Sequence, residues 1–202
     1  MNYVIFNNEK VYPTKIICVG RNYVEHIKEL NNEIPDDIVL FIKPNSSISL
    51  DVYKPKKTFR YEGEISFIIK EGKIKGVGFG IDLTLVEEQE KAKKKGLPWE
   101  KAKAFDNSAV FSEFVPIDDI SDLSMEFYIN NSLKQKGDIS LMIFKPEEIL
   151  KKVQEYFSLE DYDIIMTGTP KGVGSFSVED KVKGRILKGN KVLVEKEWTV
   201  LG

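Results

Sequence analysis

This chain has little of what many functions require. It carries one cysteine, Cys18, and one histidine, His26, in 202 residues. A lone cysteine excludes an internal disulfide and points to a reducing, intracellular setting. Cys18 lies in the apolar stretch Lys15–Val19 and reads as a small core residue rather than a nucleophile. No apolar run approaches the roughly 20 residues that span a bilayer. The N-terminus lacks the basic start and long apolar stretch of a secretion signal, so the expected location is the cytoplasm. An excess of one charge is missing too. Lys and Arg number 30 and Asp and Glu 32, a net of −2, so no global field draws nucleic acid or an anionic membrane. Lys91 to Lys95 follow interleaved glutamates and read as a solvated helix face. Nucleotide motifs fail as well. Val173 interrupts a phosphate-loop reading of Thr167–Gly174, and Gly76, Gly78 and Gly80 miss the dinucleotide spacing. No Gly-x-Ser-x-Gly nucleophile elbow occurs.

What remains is an ordinary globular composition, 42% hydrophobic and 31% charged, long enough to bury one core. The expectation is one catalytic domain over residues 1–202. Strands are expected at 2–6, 15–19, 38–42, 60–69, 73–83, 125–129, 163–167, 181–187 and 191–199. Helices are expected from Asn22 as N-cap to a stop at Asn31 and Asn32, from a Thr84/Glu87 capping box to Gly96, and from Pro146 to about Phe157. Residues 97–115 read as irregular. The glycines at 76, 78 and 80 suggest a bent or bulged strand. Strands outnumber scattered helices, which makes the class α+β with a dominant sheet.

Within that frame, two glutamates stand out. Glu62 and Glu64 lie one residue apart in a strand pattern, so both side chains share a face. Asp82 follows eighteen residues after Glu64 at the end of another apolar run. Carboxylates held together repel unless a cation lies between them, and hard oxygen ligands favour Mg²⁺ or Mn²⁺ over Zn²⁺. Taken alone, the pair reads more readily as a solvated strand face. His26 and Glu29 are helix neighbours at i and i+3. A glutamate there orients an imidazole and raises its basicity, as a general base requires. An exposed polar pair on a short helix is the even alternative. Trp99, Phe105 and Phe111 read as core or lid packing. The Thr167–Gly174 loop reads as a turn or as a small-anion contact through backbone N–H groups or Thr169.

In combination, these segments resemble the fumarylacetoacetate hydrolase family, in its short branch of acylpyruvate hydrolases and oxaloacetate-acting enzymes. The resemblance runs from about residue 16 to residue 186. It rests on Cys18-Val19-Gly20-Arg21-Asn22-Tyr23 with His26 and Glu29, Phe41-Ile42-Lys43-Pro44, Tyr61-Glu62-Gly63-Glu64, Gly80-Ile81-Asp82-Leu83-Thr84, Lys95-Gly96-Leu97-Pro98-Trp99 with Lys103, and Thr167–Gly174. It implies a β-rich mixed fold with a few short helices, usually a homodimer. It implies that Glu62, Glu64 and Asp82 hold one Mg²⁺ or Mn²⁺ per chain. His26 and Glu29 would be a catalytic dyad, with Lys103 a further catalytic residue. Arg21, Lys43 and Thr169 would bind a small keto acid. The implied reaction is hydrolysis of the carbon–carbon bond of a 3-acylpyruvate. Oxaloacetate decarboxylation, keto–enol tautomerisation and a non-catalytic metal scaffold are the alternatives. One departure stands out. The family's Asp-x-Thr-x-Arg-Asp run is Asp82-Leu83-Thr84-Leu85-Val86-Glu87 here, so Val86 replaces an arginine that commonly meets the substrate's anionic end.

Overall fold

The computed structural model describes residues 1–30 and 33–202. In chain order the strands are β1 (Val4–Phe6), β2 (Glu9–Val11), β3 (Lys15–Gly20), β4 (Val39–Pro44), β5 (Ile48–Ser49), β6 (Phe59–Lys70), β7 (Lys73–Leu85), β8 (Ala109–Phe111), β9 (Val115–Pro116), β10 (Leu123–Ile129), β11 (Ser132–Asp138), β12 (Ile164–Met166), β13 (Lys181–Lys188) and β14 (Lys191–Thr199). The α-helices are α1 (Val24–Glu29), α2 (Val86–Lys95), α3 (Glu100–Lys103) and α4 (Pro146–Tyr156). The expected helix stop at Asn31 and Asn32 lies outside the described residues.

Two sheets and a small hairpin, β1-β2, organise these strands. The larger sheet runs β4-β3-β12-β6-β7-β8-β5, with β9 also on β7; the smaller runs β11-β10-β13-β14. The period-2 alternation of β6 and β7 explains how they meet. Tyr61, Ile65 and Phe67 on β6 and Val77, Phe79, Ile81 and Leu83 on β7 all point to one face. There they pack against Met125, Phe127, Val182, Ile186 and Trp198 of the smaller sheet. Phe79 stacks on Phe127 with ring centroids 5.7 Å apart. Its ring also lies against the backbone of β13, where a Cβ on Gly184 would fall 2.1 Å from Phe79 Cδ1. Gly184→Val is therefore expected to cost about 1–3 kcal/mol or more by overpacking; an unchanged denaturation midpoint would contradict this packing.

The opposite face of the hairpin carries Arg60, Glu62, Glu64, Asp82 and Thr84. It owes this arrangement to one extra residue. Near the turn Lys70 pairs Lys73 and Ile69 pairs Ile74, but Ile68 pairs Gly76, leaving Lys75 as a bulge. From there Glu62 sits directly opposite Asp82. The expected bulge is thus a single residue beside Gly76, while Gly78 and Gly80 stay in register. Aromatic rings crowd this strand and leave room only for glycine. A Cβ on Gly76 or Gly78 would lie 2.7 or 2.8 Å from the rings of Phe6 and Phe114.

Two expected caps are not caps. Pairing of β6 with β7 continues to Leu85, so Thr84 remains in the strand and Leu85 precedes α2. The Thr84 hydroxyl donates to Glu62 Oε1 at 3.0 Å. Tyr23, not Asn22, precedes α1. Asn22 is buried and ties two distant loops together, donating to Thr167 O and accepting from the Phe144 N–H at 2.7 Å. Residues 97–115 are not irregular throughout, since α3 and β8 lie within them. Gly96 does end α2 in the left-handed conformation, and Pro146 opens α4. Cys18 is fully buried in the core.

Candidate active site

The pleat and register just described bring three carboxylates together. One oxygen from each of Glu62, Glu64 and Asp82 lies within 4.8 Å of the others, and all three residues are buried. Such a cluster needs positive charge. Lys103, delivered by α3, donates to Glu62 Oε2 and Asp82 Oδ2, each at 2.8 Å. The Gly168 N–H donates to Glu64 Oε2 at 2.8 Å. Burial opposes ionisation of Glu62, but Lys103, then His26 and Arg60, outweigh it and hold that carboxyl at about 2. Glu64 is pushed the other way, by burial first and then by Asp82 and Glu62. Burial likewise disfavours the Lys103 ammonium, yet Asp82 and Glu62 raise it above its ordinary value.

The arrangement fits a divalent ion. Lys43 is wholly buried behind Asp82, its ammonium 2.9 Å from Asp82 Oδ1. It donates to Lys103 O, Ser108 O and Ser108 Oγ, which accounts for the three hydrogens an ammonium has. Asp82 Oδ1 is therefore buried without a hydrogen bond among the described residues. A buried carboxylate oxygen whose one partner among the described residues is the Lys43 ammonium, in a site of hard oxygen donors, suits a cation ligand. Proton and metal would compete for Glu64.

A second group shares the cavity. His26 Nδ1 lies 3.0 Å from Glu29 Oε2, as the i, i+3 spacing on α1 expects. Glu29 Oε1 accepts the Gly172 N–H at 3.0 Å. The glutamate is thus pinned from both sides, which fixes the imidazole's orientation. Gly172 is required there: its φ is +100°, and a Cβ would lie 2.1 Å from Lys134 O. The cavity is narrow and open on one side, with about 40 Å³ of room for the centres of water-sized molecules.

His26, Glu62, Glu64, Lys103, Arg21 and Thr169 all line this cavity. Lys43 does not; it backs Asp82 and the Lys103 carbonyl. The Thr169 hydroxyl donates to Gly63 O and accepts from Gln135, both at 2.8 Å, so it ties the loop to β6. Sequence reasoning missed Arg60, Gln89 and Lys93, which also line the cavity. Arg60 had a signal available, since it precedes Glu62 by two residues on the same strand face. Lys93 corrects the reading of Lys91 to Lys95 as only a solvated face, because one lysine of the run turns to the cavity. Phe41 and Trp99 form its apolar wall, their ring centroids 6.0 Å apart. Phe111 lies in the core.

Comparison with known proteins finds relatives along most of the chain. A family model described as fumarylacetoacetate (FAA) hydrolase C-terminal matches residues 15–200. The mitochondrial oxaloacetate tautomerase FAHD1 of Bos taurus is 36% identical over 190 residues, covering 85% of this chain and 86% of that protein. The oxaloacetate tautomerase YcgM of Escherichia coli K12 is 35% identical over 193 residues, covering 85% and 88%. The crystal structure of a fumarylpyruvate hydrolase from Pseudomonas aeruginosa, in complex with Mn²⁺ and pyruvate, matches with a TM-score of 0.88 and 25% identity, covering 99% and 95%. No described helix is long and apolar enough to cross a membrane.

Proposed function

This chain belongs to the fumarylacetoacetate hydrolase family, and we propose that it is a divalent-metal-dependent enzyme that hydrolyses the carbon–carbon bond of a 3-acylpyruvate-type keto acid. The observation that carries the proposal is His26, held by Glu29 and through it by Gly172, on the same cavity as Glu62 and Glu64 of the buried carboxylate triad.

Glu62, Glu64 and Asp82 would hold Mg²⁺ or Mn²⁺, which supplies Lewis acidity toward the keto acid's oxygens. His26, kept basic and oriented by Glu29, takes a proton from water as the oxygen attacks the distal acyl carbonyl. The carbon–carbon bond breaks and its electron pair passes to the pyruvate fragment as an enolate. The imidazolium returns its proton to the C3 carbon, leaving pyruvate and a carboxylic acid. Lys103 places fixed positive charge beside the reacting carboxylate and enolate. Lys43 acts as a positioning residue, holding Asp82 and the α3 carbonyl.

A second reading is keto–enol tautomerisation of oxaloacetate, favoured by the names of the relatives at 35–36% identity. His26 then removes the C3 proton directly and no water is activated. One assay separates the two. The ultraviolet band of a short acylpyruvate should decay only with metal, with pyruvate appearing in step. No pyruvate, together with rapid conversion of the oxaloacetate enol, would leave the second reading; inertness toward both would overturn the proposal. The same proposal places the enzyme in the cytoplasm as a homodimer. The groove lined by Ile42 on edge strand β4, Leu97 and Trp99 offers an apolar contact surface. A monomeric mass in solution would refute that part.

A further inference from the structure

Strand β6 loses a neighbour just where it carries the two glutamates of the triad. Its pairing with β12 ends where Ser66 meets Met166, and Glu64 and Glu62 lie beyond that point. The backbone on this side of β6 still needs partners. The Thr167–Gly174 loop supplies most of them. The Thr167 N–H and hydroxyl donate to Ile65 O, the Thr169 hydroxyl donates to Gly63 O, and Gly174 O accepts the Tyr61 N–H. The Gly63 N–H, between Glu62 and Glu64, takes its acceptor from elsewhere.

Gln135 provides it. This buried residue comes from β11, an edge strand of the other sheet. A bulge of a single residue aims it. Ile129 pairs Ser132 and Tyr128 pairs Leu133, but Phe127 pairs Gln135, which leaves Lys134 over. Without the bulge, Lys134 would turn to the core opposite Phe127 and Gln135 would turn outward. Gln135 Oε1 accepts the Gly63 N–H at 2.9 Å, and Nε2 donates to Thr169 Oγ1 and Pro170 O, each at 2.8 Å. Both amide hydrogens are used and the amide oxygen faces a donor. A side-chain amide thus takes the place of a peptide unit and splices loop to strand. Gly63 permits the approach, since a Cβ there would lie 3.0 Å from Gln135 Oε1.

The same loop holds both halves of the site. The Gly168 N–H donates to Glu64, and the Gly172 N–H donates to Glu29, which orients His26. Thr169 and Pro170, the residues that Gln135 grips, lie between those two glycines. Tyr61 adds a second tie, its hydroxyl donating to Gly172 O at 3.2 Å. Gln135 does not line the cavity, so it acts only through the loop. We propose that Gln135 is a positioning residue, whose splice between Gly63 and the Thr169-Pro170 segment sets where the His26–Glu29 pair stands relative to the Glu62 and Glu64 carboxylates. This rests on the reading of His26 as the group that moves the proton.

His26 is the chain's one histidine, so ¹⁵N NMR reads its ring nitrogens without assignment. The Glu29 carboxylate keeps a proton on Nδ1. At a pH where the ring is neutral, the wild type with Mg²⁺ should therefore show the Nδ1–H form. Two variants break the splice. Gln135→Met fills the space and bonds to nothing. Gln135→Glu, ionised, still accepts the Gly63 N–H but has no hydrogen to give Pro170 O. In each, the Nδ1–H form should give way to the mixture of an unrestrained imidazole. At saturating Mg²⁺, kcat should fall roughly 10- to 100-fold, as a displaced catalytic group implies, with KM little changed. Gln135→Glu serves if Gln135→Met fails to fold. A folded variant that keeps the Nδ1–H form would overturn the inference, and so would an undiminished kcat. The ring spectrum needs no substrate. A wild type inert toward keto acids would overturn the functional reading, and the variants' spectra would still decide whether Gln135 places His26.

Discussion

In Glu64→Gln, Mn²⁺ no longer raises the melting temperature and turnover falls to background. At a hundredfold excess over Kd, an ion bound only by the folded state adds about 2.7 kcal/mol. For a chain of this size that is a shift of roughly 5–10 °C in Tm. Glu64→Gln keeps the side-chain shape and removes one of three ligand charges. It also changes the metal-free protein in the opposite direction. The Glu64 carboxyl is raised by burial and by its acidic neighbours, so the folded state binds its proton more tightly than the unfolded chain does. The stability this group contributes is present below its ordinary pKa and is lost as the pH rises. At neutral pH the charged form therefore opposes folding, and a neutral glutamine relieves that. The metal-free variant should melt at or above the wild-type temperature. A variant that melts lower without metal, yet keeps the full Mn²⁺ shift, would remove Glu64 from the ligand set.

His26→Ala separates chemistry from metal binding. Positioned acid–base catalysis is worth about 10²–10⁴ in rate, and kcat should fall by that factor. The imidazole bonds to Glu29 and lies outside the carboxylate triad, so the Mn²⁺-dependent Tm shift should persist. Gly172→Ala probes the same dyad from behind, since its N–H orients Glu29. Undiminished kcat in His26→Ala would assign the proton transfer to another group.

How much of this was legible beforehand depends on how local each feature is. The shared face of Glu62 and Glu64 follows from strand alternation alone. The i, i+3 meeting of His26 and Glu29 follows from helix geometry. The partnership with Asp82 does not, because it depends on the bulge at Lys75. Continued in the register of Lys70 and Lys73, the hairpin would set Asp82 opposite Tyr61 and turn it toward the apolar core. Thr84 followed by Glu87 has the letters of a capping box, yet tertiary pairing kept Thr84 in the strand and gave its hydroxyl to Glu62. Gly172 and Gly168 act through backbone N–H groups that no side-chain pattern announces. Lys43 and Asn22 hold parts of the chain that are far apart in sequence: Ser108 for one, Phe144 and Thr167 for the other. The carboxylate pair was thus suggested by pattern, and its supporting shell came only from the fold.

The central claim is that His26 moves a proton at the C3 carbon of a keto acid held at the carboxylate triad. The most direct measurement is hydrogen–deuterium exchange at C3 of oxaloacetate in D₂O, followed by proton NMR against a control with metal alone. The account predicts exchange well above that control for the Mn²⁺-loaded wild type, and a return to the control rate both with chelator and in His26→Ala. Exchange that persists in His26→Ala, or that never exceeds the metal-only rate in the wild type, would contradict it.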